Sequence, residues 1–260
     1  VYWCATCGTA LAEAEVEYHD HTSPSIYVKF PVAGDLGDVV PELAGRSVSV
    51  LIWTTTPWTL PANLAIAFHP DFVYAAVETG GEVWIMARDL VEKCFREFGI
   101  SDYRQLANFS ASVLEGRKCR HPFLERDSLL VLADYVTADS GTGCVHTAPG
   151  HGTDDYLTGL RYGLEILSPV DDQGRYTREA GPYAGQQIPA VNKVINEDMR
   201  AAGSLVHQAA LQHSYPHCWR CKKPVIFRAT EQWFISMQEN GLRDKALAEI
   251  SHVSWTPAWG

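Results

Sequence analysis

The 260-residue sequence predicts a mixed α/β fold built on a closed β-barrel core that is surrounded by helices. Short runs of β-branched and apolar residues have the length of core strands. Helical patterns lie between these runs without the regular strand–helix alternation of a parallel α/β fold. A hydrophobic fraction of 46% and a charged fraction of 20% suit one large globular domain, with or without a small module.

The strands are predicted where apolar and β-branched residues alternate or cluster. In chain order they are residues 12–18, 25–30, 47–53, 72–77, 83–86 and 129–132. The paired glycines of Thr79-Gly-Gly-Glu82 predict a hairpin between the fourth and fifth runs.

Two helices are predicted from apolar side chains that recur every three or four residues. The first covers residues 88–98 and is expected to end at Gly99, because glycine readily adopts the left-handed conformation that closes a helix. The second is expected to end at Gly203. Its apolar face consists of Val191, Val194, Ile195 and Met199.

The charge balance limits the kind of partner. A net charge of −10 and a pI near 5.4 argue against a groove that follows many phosphates, since such grooves are basic. Any RNA contact should therefore be small and local. No run approaches the roughly 20 apolar residues that cross a bilayer, and the chain opens Val-Tyr-Trp-Cys without an initiator methionine or a secretion signal. We expect a cytoplasmic fragment of a longer protein, with no membrane contact.

Four of the seven cysteines form two C-x-x-C pairs, Cys4 with Cys7 and Cys218 with Cys221. In a chain without a secretion signal this spacing favours reduced thiolates, and tetrahedral zinc takes four of them. We predict a structural zinc in a small ribbon-like stalk that joins the two ends of the chain. Two unrelated pairs or a redox pair are the alternatives. The other cysteines are expected to be small buried apolar side chains: Cys94, Cys119 and Cys144.

Three hydroxyl side chains follow the predicted core strand: Thr54, Thr55 and Thr56. Pro57 lacks an N–H and favours an extended residue before it, so the strand should end here. Hydroxyls in this position either hydrogen-bond the backbone groups at the end of the sheet or belong to a functional loop. Both interpretations stay open from this segment alone.

A second polar segment, residues 141–155, contains four glycines, two histidines and two aspartates. It could be a strand–loop–helix connection in which Thr153 or Asp154 caps the helix. It could be a metallohydrolase site with His146, His151 and Asp154 as ligands, although the chain has no H-E-x-x-H motif. It could also be a metal-free pocket for a small cation, with one aspartate as the counter-ion.

Together these segments resemble the editing domain of bacterial isoleucyl-tRNA synthetases. The resemblance rests on Trp53-Thr-Thr-Thr-Pro-Trp-Thr-Leu-Pro-Ala-Asn63, on Gly141-Thr-Gly-Cys-Val-His-Thr-Ala-Pro149 and on Asp154-Asp-Tyr156. The segments with the C-x-x-C pairs look like the zinc-bearing stalks of that family. Arg228-Ala-Thr-Glu-Gln-Trp-Phe234 looks like the return to the synthetase core. Valyl and leucyl relatives carry an arginine where this chain has Thr56.

The resemblance implies a set of site residues. They are Thr54, Thr55, Thr56, Asn63, His146 and Asp155. The first two threonines would hydrogen-bond the terminal adenosine and the ester of an aminoacyl-tRNA. Thr56 and His146 would set the size of the side-chain pocket, Asn63 would help to orient the ligand, and Asp155 would pair with the α-ammonium group.

The implied activity is hydrolytic removal of valine from mischarged tRNA(Ile). The implied partners are the 3′ end of that tRNA, valine or valyl-adenylate analogues, and the rest of the synthetase. The editing domain would comprise residues 31–204, and the zinc-binding stalk residues 1–30 and 205–260. The H-I-G-H-like and K-M-S-K-S signatures that bind ATP are absent from the sequence, so amino-acid activation is not expected. Hydrolysis is expected to need no cofactor, and no general base is assigned. The alternative function is a non-catalytic, zinc-stabilised RNA-binding module.

Overall fold

A computed structural model describes residues 1–257 and residue 259, which fall into two compact units, Val1–Ala229 and Thr230–Gly260. In chain order the strands and α-helices of the first unit are β1 (Tyr2–Cys4), β2 (Thr9–Leu11), β3 (Val16–Pro31), β4 (Val48–Thr54), β5 (Ala65–Phe68), β6 (Val73–Thr79), β7 (Glu82–Ala87), α1 (Val91–Phe98), β8 (Arg104–Ser110), β9 (Lys118–Arg120), β10 (Asp127–Leu132), β11 (Cys144–Thr147), α2 (Thr153–Tyr162), α3 (Asn192–Ala201), β12 (Leu205–Cys218) and β13 (Ile226–Phe227).

The second unit contains α4 (Leu242–Ile250) after a 3-10 turn at Glu239–Gly241. Many of its apolar side chains are exposed, among them Trp233, Phe234 and Leu247. Within the described part of the chain, no helix combines the length and the hydrophobicity that crossing a membrane requires.

Near the ends of the first unit, the strands form a small antiparallel sheet and a two-stranded antiparallel ribbon. β1 lies between β2 and β13 in a small sheet. β3 and β12 form a long ribbon, in which Val16 lies opposite Cys218 at one end and Val28 lies opposite Leu205 at the other. The middle of the ribbon is largely exposed, for example at Tyr18 and Ser214, whereas the end at Cys218 is buried on β12 and the other end becomes buried where β3 pairs with β4. It therefore connects the small sheet to the main one.

The main sheet has the order β8–β6–β7–β4–β11–β5–β10–β9, and the ribbon joins it at β4. Two strands share one edge of β4. Val48–Val50 pair in parallel with β7, whereas Trp53 pairs in parallel with Val145 of β11. The sheet therefore divides at β4 and curls.

The closed barrel predicted from the sequence is wrong. The strands form a curled half-barrel that no continuous ladder closes within the described residues. β9 is three residues long, and it meets the segment after β3 through an isolated bridge between Cys119 and Val32. A strand this short, with β4 already paired along both edges, cannot supply the ladder that closure needs.

Most predicted elements lie where the pattern placed them. Gly99 ends α1 with φ 70°, and Gly203 follows α3 with the same φ. The predicted first strand is partly wrong, because β3 begins only at Val16. The residues before it form a 3-10 turn in which the Glu15 carboxylate accepts a hydrogen bond from the Ala12 N–H at 2.9 Å. This local bond competes with strand pairing.

The buried side chain of Tyr74 on β6 fixes the loop that leads into β11. Its hydroxyl donates to the Gly143 carbonyl at 2.7 Å and accepts from the His69 N–H at 2.8 Å. The side chain is fully buried, so neither backbone group has water as a substitute partner.

Replacing Tyr74 by phenylalanine should lower the free energy of unfolding by about 1–3 kcal/mol, because a buried donor and a buried acceptor lose their partner. Chemical denaturation measures the change. Tyr18→Phe, at an exposed ring on the ribbon, is the control and should have little effect. Equal stability of the wild type and Tyr74→Phe would contradict this account.

Candidate functional site

The candidate site lies at the carboxyl ends of two parallel strands, β4 and β11. Since Trp53 is aligned with Val145, the residues that follow them lie side by side at this edge: Thr54 is the last residue of β4, and His146 is the last but one of β11. The 3-10 helix Pro57–Ala62 starts directly after the threonines, so Pro57 ends the strand as the sequence predicted. Polar groups at the carboxyl ends of parallel strands commonly form ligand sites.

The threonines form a hydrogen-bonded turn. Thr54 Oγ1 accepts the Thr56 N–H at 3.1 Å and lies 3.2 Å from Thr56 Oγ1. Thr54 is buried, whereas Thr55 and Thr56 are half-buried and face a cavity. The interpretation as a satisfied strand end therefore fits Thr54, and a functional role for Thr55 and Thr56 stays a prediction.

His146 is almost completely buried, and both of its ring nitrogens are hydrogen-bonded. Thr59 Oγ1 donates to the Thr56 carbonyl at 2.8 Å, so it must accept from His146 Nε2–H, also at 2.8 Å. Asn63 Nδ2 then donates to His146 Nδ1 at 3.4 Å and to the Ala65 carbonyl at 2.9 Å. These bonds select the neutral Nε2–H tautomer.

The surroundings of this imidazole oppose a charge. Burial lowers the pKa of His146 to about 4, and the nearby His151 lowers it further in the same direction. Ser128, on β10, donates to Asn63 Oδ1 and completes the network. Thr59 and Ser128 were not predicted as site residues. Thr59 lies inside the recognised motif, but Ser128 carries no sequence signal, because its place depends on the pairing of β10 with β5.

Asp155 lies in the first turn of α2 and is half-buried. Its Oδ2 accepts the N–H of Ala148, the residue after β11, at 2.9 Å. Burial raises the pKa of Asp155 to about 6, the Ala148 N–H opposes this shift, and the Asp154 carboxylate adds to it. The carboxylate thus tethers the helix to the end of β11.

The expectation that Thr153 or Asp154 caps α2 is wrong. Gly152 is the N-cap residue, and no side chain caps the helix. Both Thr153 and Asp154 are exposed in the first turn, where a negative charge interacts favourably with the helix dipole. The bond that orders this connection is the one from Ala148 to Asp155.

Two glycines of this segment serve close packing. A Cβ atom on Gly150 would lie 2.1 Å from the Leu167 carbonyl oxygen, so only glycine fits there without movement of the backbone. A Cβ atom on Gly141, whose φ is +70°, would lie 2.8 Å from the Trp53 ring. Both close approaches are to the protein itself.

His151 joins this loop to the small sheet. Its Nδ1–H donates to the Phe227 carbonyl at 2.9 Å, and the Gly150 carbonyl accepts the Ala229 N–H at 2.7 Å. The Trp58 ring lies edge-on to His151 with the ring centroids 5.0 Å apart. Trp58 is buried, so core packing accounts for this side chain.

The metallohydrolase interpretation has no geometric support among the described residues. The group whose ligand atoms converge there consists of cysteines, and His146, His151 and Asp154 do not form such a group. The ring nitrogens of His146 are also committed to Thr59 and Asn63.

The four predicted metal ligands do converge. The Sγ atoms of Cys4, Cys7, Cys218 and Cys221 all lie within 4.8 Å of one another. Cys4 Sγ and Cys221 Sγ are 3.4 Å apart, and Cys4 Sγ accepts the Cys7 N–H at 3.4 Å. Tetrahedral zinc with Zn–S bonds of about 2.3 Å requires separations of this size. The cluster is compatible with a structural zinc. Cys94, Cys119 and Cys144 are buried, as expected.

Comparison with known proteins identifies the family. The model for class I tRNA synthetases (I, L, M and V) matches residues 1–260. The chain belongs to this family. It is 67% identical over 260 residues to Isoleucine–tRNA ligase of Desulfotalea psychrophila, and the match covers 100% of this chain and 28% of that protein. This class I synthetase chain therefore spans little more than a quarter of that relative.

Solved structures show the same fold in editing domains of this synthetase class. The crystal structure of GlLeuRS-CP1 has a TM-score of 0.57 at 15% identity, and the match covers 71% of this chain and 98% of that one. The editing domain of the cytosolic leucyl-tRNA synthetase of P. knowlesi has a TM-score of 0.56 at 12% identity, covering 73% and 97%. At these identities the similarity concerns the fold.

His146 should remain a neutral Nε2–H tautomer from about pH 5 to pH 8, because burial disfavours its charge and Asn63 donates to Nδ1. Nitrogen-15 NMR of the labelled imidazole measures this directly. Since the pKa of His146 is lowered to about 4 in the folded protein, its contribution to stability is complete above the unfolded value of about 6.5 and is lost as the pH falls toward 4. A protonated ring at pH 6 would contradict this assignment.

Proposed function

We propose that this chain hydrolyses the ester bond between valine and the terminal adenosine of mischarged tRNA(Ile), as the editing part of a longer isoleucyl-tRNA synthetase. The observation that carries this proposal is the convergence of the threonine turn, His146 and Asp155 at the carboxyl ends of β4 and β11. The 67% identity to an Isoleucine–tRNA ligase and the editing-domain fold support it.

A second, hydrolytic site of this kind compensates for the limited selectivity with which a single pocket distinguishes isoleucine from valine. Valine lacks one methylene of isoleucine, and a hydrophobic pocket separates such a pair by about 1–3 kcal/mol, a magnitude measured on isoleucyl-tRNA synthetases themselves. A site that admits valine and rejects isoleucine can remove the error after it is made.

Asp155 is suited to hold the α-ammonium group of the substrate. One carboxylate oxygen, Oδ2, accepts the Ala148 N–H, and Oδ1 has no hydrogen-bond partner among the described residues. With a pKa of about 6 the side chain is mostly ionised at neutral pH. A charge-assisted hydrogen bond in such a site contributes about 1.5–3 kcal/mol.

His146 is suited to limit the size of the pocket that receives the amino-acid side chain. A size filter must be rigid, and hydrogen bonds at both nitrogens hold this ring in place. The same bonds leave no free lone pair for a general base. Thr54 and Thr55 would bind the ester and the adenosine, and Thr56 would face the pocket together with His146. Asn63 would act through His146, as its bond to Nδ1 suggests. The ester is already activated, so the site needs chiefly to position a water molecule.

Zinc is part of the proposal as a structural ion held by Cys4, Cys7, Cys218 and Cys221. When bound, it would cross-link the small sheet to the end of the ribbon. No step of the hydrolysis involves it. The partition into an editing domain at residues 31–204 and a stalk at residues 1–30 and 205–260 stays a prediction.

The chain's acidity fits a small contact with RNA. With a net charge of −10, the module would hold the 3′ end of tRNA(Ile), while other parts of the synthetase would hold the body of the tRNA in the cytoplasm. Amino-acid activation is not proposed for this chain, because its sequence has no ATP-binding signature of the class.

Parallel measurements of Val-tRNA(Ile) and Ile-tRNA(Ile) hydrolysis test the proposal. We expect hydrolysis of the valyl ester and little of the isoleucyl ester, and metal analysis should find about one zinc per chain. Binding of tRNA without hydrolysis would support the non-catalytic RNA-binding module instead.

Asp155→Ala should reduce hydrolysis of Val-tRNA by about 100-fold or more, because the substrate ammonium loses its counter-ion in a partly dry site. The exposed neighbour supplies the control, since Asp154→Ala should retain most of the activity. In the wild type, kcat/KM should rise with pH through about 6, as Asp155 loses its proton. Full activity of Asp155→Ala would assign the ammonium group to another residue.

His146→Ala should open the site to isoleucine. If the His146 ring excludes the isoleucine side chain sterically, removing the ring should allow hydrolysis of Ile-tRNA while part of the Val-tRNA activity remains. If His146 were a general base, both activities would fall together by about 100-fold or more. Rates for both esters, with the wild type and the variant, distinguish these roles.

A further inference from the structure

The hairpin of β9 and β10 contacts the 3-10 helix Pro57–Ala62 through polar side chains. Every residue of this helix is buried, and it directly follows the threonine turn. The last carbonyl groups of a helix find few partners within it, so they need donors from elsewhere. Here the donors come from residues 121–128, which form the loop of the hairpin and the first residues of β10.

His121, the first residue after β9, binds the Leu60 carbonyl. Its Nδ1 accepts the N–H groups of Phe123 at 3.3 Å and Leu124 at 3.1 Å, so the proton of the ring is on Nε2. Nε2–H then donates to the Leu60 carbonyl at 2.9 Å. Burial lowers the pKa of His121 to about 3, although the bond to Leu60 opposes this shift. The ring is therefore a neutral donor with a fixed direction.

Arg126, the last residue before β10, binds the next carbonyl group, that of Pro61. Its Nε is buried without a hydrogen-bond partner. Burial lowers the pKa of Arg126, and the carboxylate of Glu165 opposes this shift without forming a hydrogen bond to it. A half-buried cation without a close counter-ion is unfavourable for stability. Holding the Pro61 carbonyl in place accounts for this side chain better than stabilisation does.

The third donor of the hairpin is Ser128, whose hydroxyl donates to Asn63 Oδ1. Both hydrogen-bond partners of the His146 ring, Thr59 and Asn63, lie in the short segment that contains Leu60 and Pro61. The hairpin therefore holds this segment at three successive points. The position of the imidazole follows from the position of the segment.

We propose that His121, Arg126 and Ser128, the hairpin donors, are positioning residues that determine how well the site distinguishes valine from isoleucine. The inference rests on the proposed function, in which the His146 ring limits the size of the pocket. A filter for one methylene must be held to within about 0.5 Å. None of the hairpin donors belongs to the predicted set of site residues, and each acts through the segment that holds His146.

Variants of two arginines in the same hairpin test the proposal. Arg126→Met removes the donor and keeps an apolar side chain. It should raise the ratio of kcat/KM for Ile-tRNA to that for Val-tRNA by about tenfold, the effect of one hydrogen bond from a charged group. Arg126→Lys keeps a cationic donor and should recover most of the wild-type ratio. Arg120 is exposed at the end of β9 and lies beside the same loop, so Arg120→Met should keep the wild-type ratio.

A double-mutant cycle shows whether the hairpin acts through His146. In the His146→Ala background, Arg126→Met should change the ratio no further, because the filter is already gone. Ser128→Ala supplies a second, independent variant and should behave as Arg126→Met does in both backgrounds. An equal effect in both backgrounds, or an unchanged ratio in both single variants, would overturn the proposal.

A measurement without substrate separates this inference from the proposed function. In nitrogen-15 NMR of labelled imidazoles, Arg126→Met should shift or broaden the signals of His146. The signals of His151, which the Phe227 carbonyl holds, should stay unchanged. Unchanged His146 signals would overturn the positioning role. Absence of ester hydrolysis in the wild type, together with altered His146 signals in the variant, would instead overturn the proposed function and support the coupling of Arg126 to His146.

Discussion

The parallel alignment of β4 with β11, at Trp53 and Val145, is the constraint on which the rest of the site depends. Each strand ends in polar residues, and parallel pairing brings these ends to the same edge of the sheet. The hydrogen bond between Thr59 and His146 then joins the segment after β4 to β11. The bond between Ala148 and Asp155 joins β11 to α2. One register thus brings together side chains that are about 90 to 100 residues apart in sequence.

Around this register the protein uses neutral polar groups where water is excluded. His146 is hydrogen-bonded to Thr59 and Asn63, and Ser128 donates to Asn63, so this buried network carries no charge. Such a network is rigid because each member loses a partner if another moves. Asp155 differs, since it is half-buried and has one oxygen without a partner among the described residues. The rigid network around His146 is therefore neutral, and the charge in the candidate site is carried by Asp155.

The cysteine cluster contributes to this arrangement although it lies in a different sheet. β13 pairs with β1, which ends at Cys4, and the Phe227 carbonyl of β13 accepts the His151 N–H. The backbone at Ala229 makes a second bond to the same loop, at Gly150. Order in the small sheet is therefore transmitted to the segment between β11 and α2. A metal held by the cysteine cluster would therefore have a physical connection to the candidate site.

The sequence by itself determined the local elements and singled out the four cysteines that cluster, because each of these features has a short-range pattern in the sequence. Pro57 begins the 3-10 helix that follows β4, Gly99 closes α1, and the spacing within each C-x-x-C pair suits one ion. Only the tertiary structure decided how the strands meet. The half-barrel arises because β7 and β11 share one edge of β4. The partners of His146 and the cavity beside Thr55 depend on pairings between distant strands, and a periodic pattern in one segment contains no information about which strand will lie beside it.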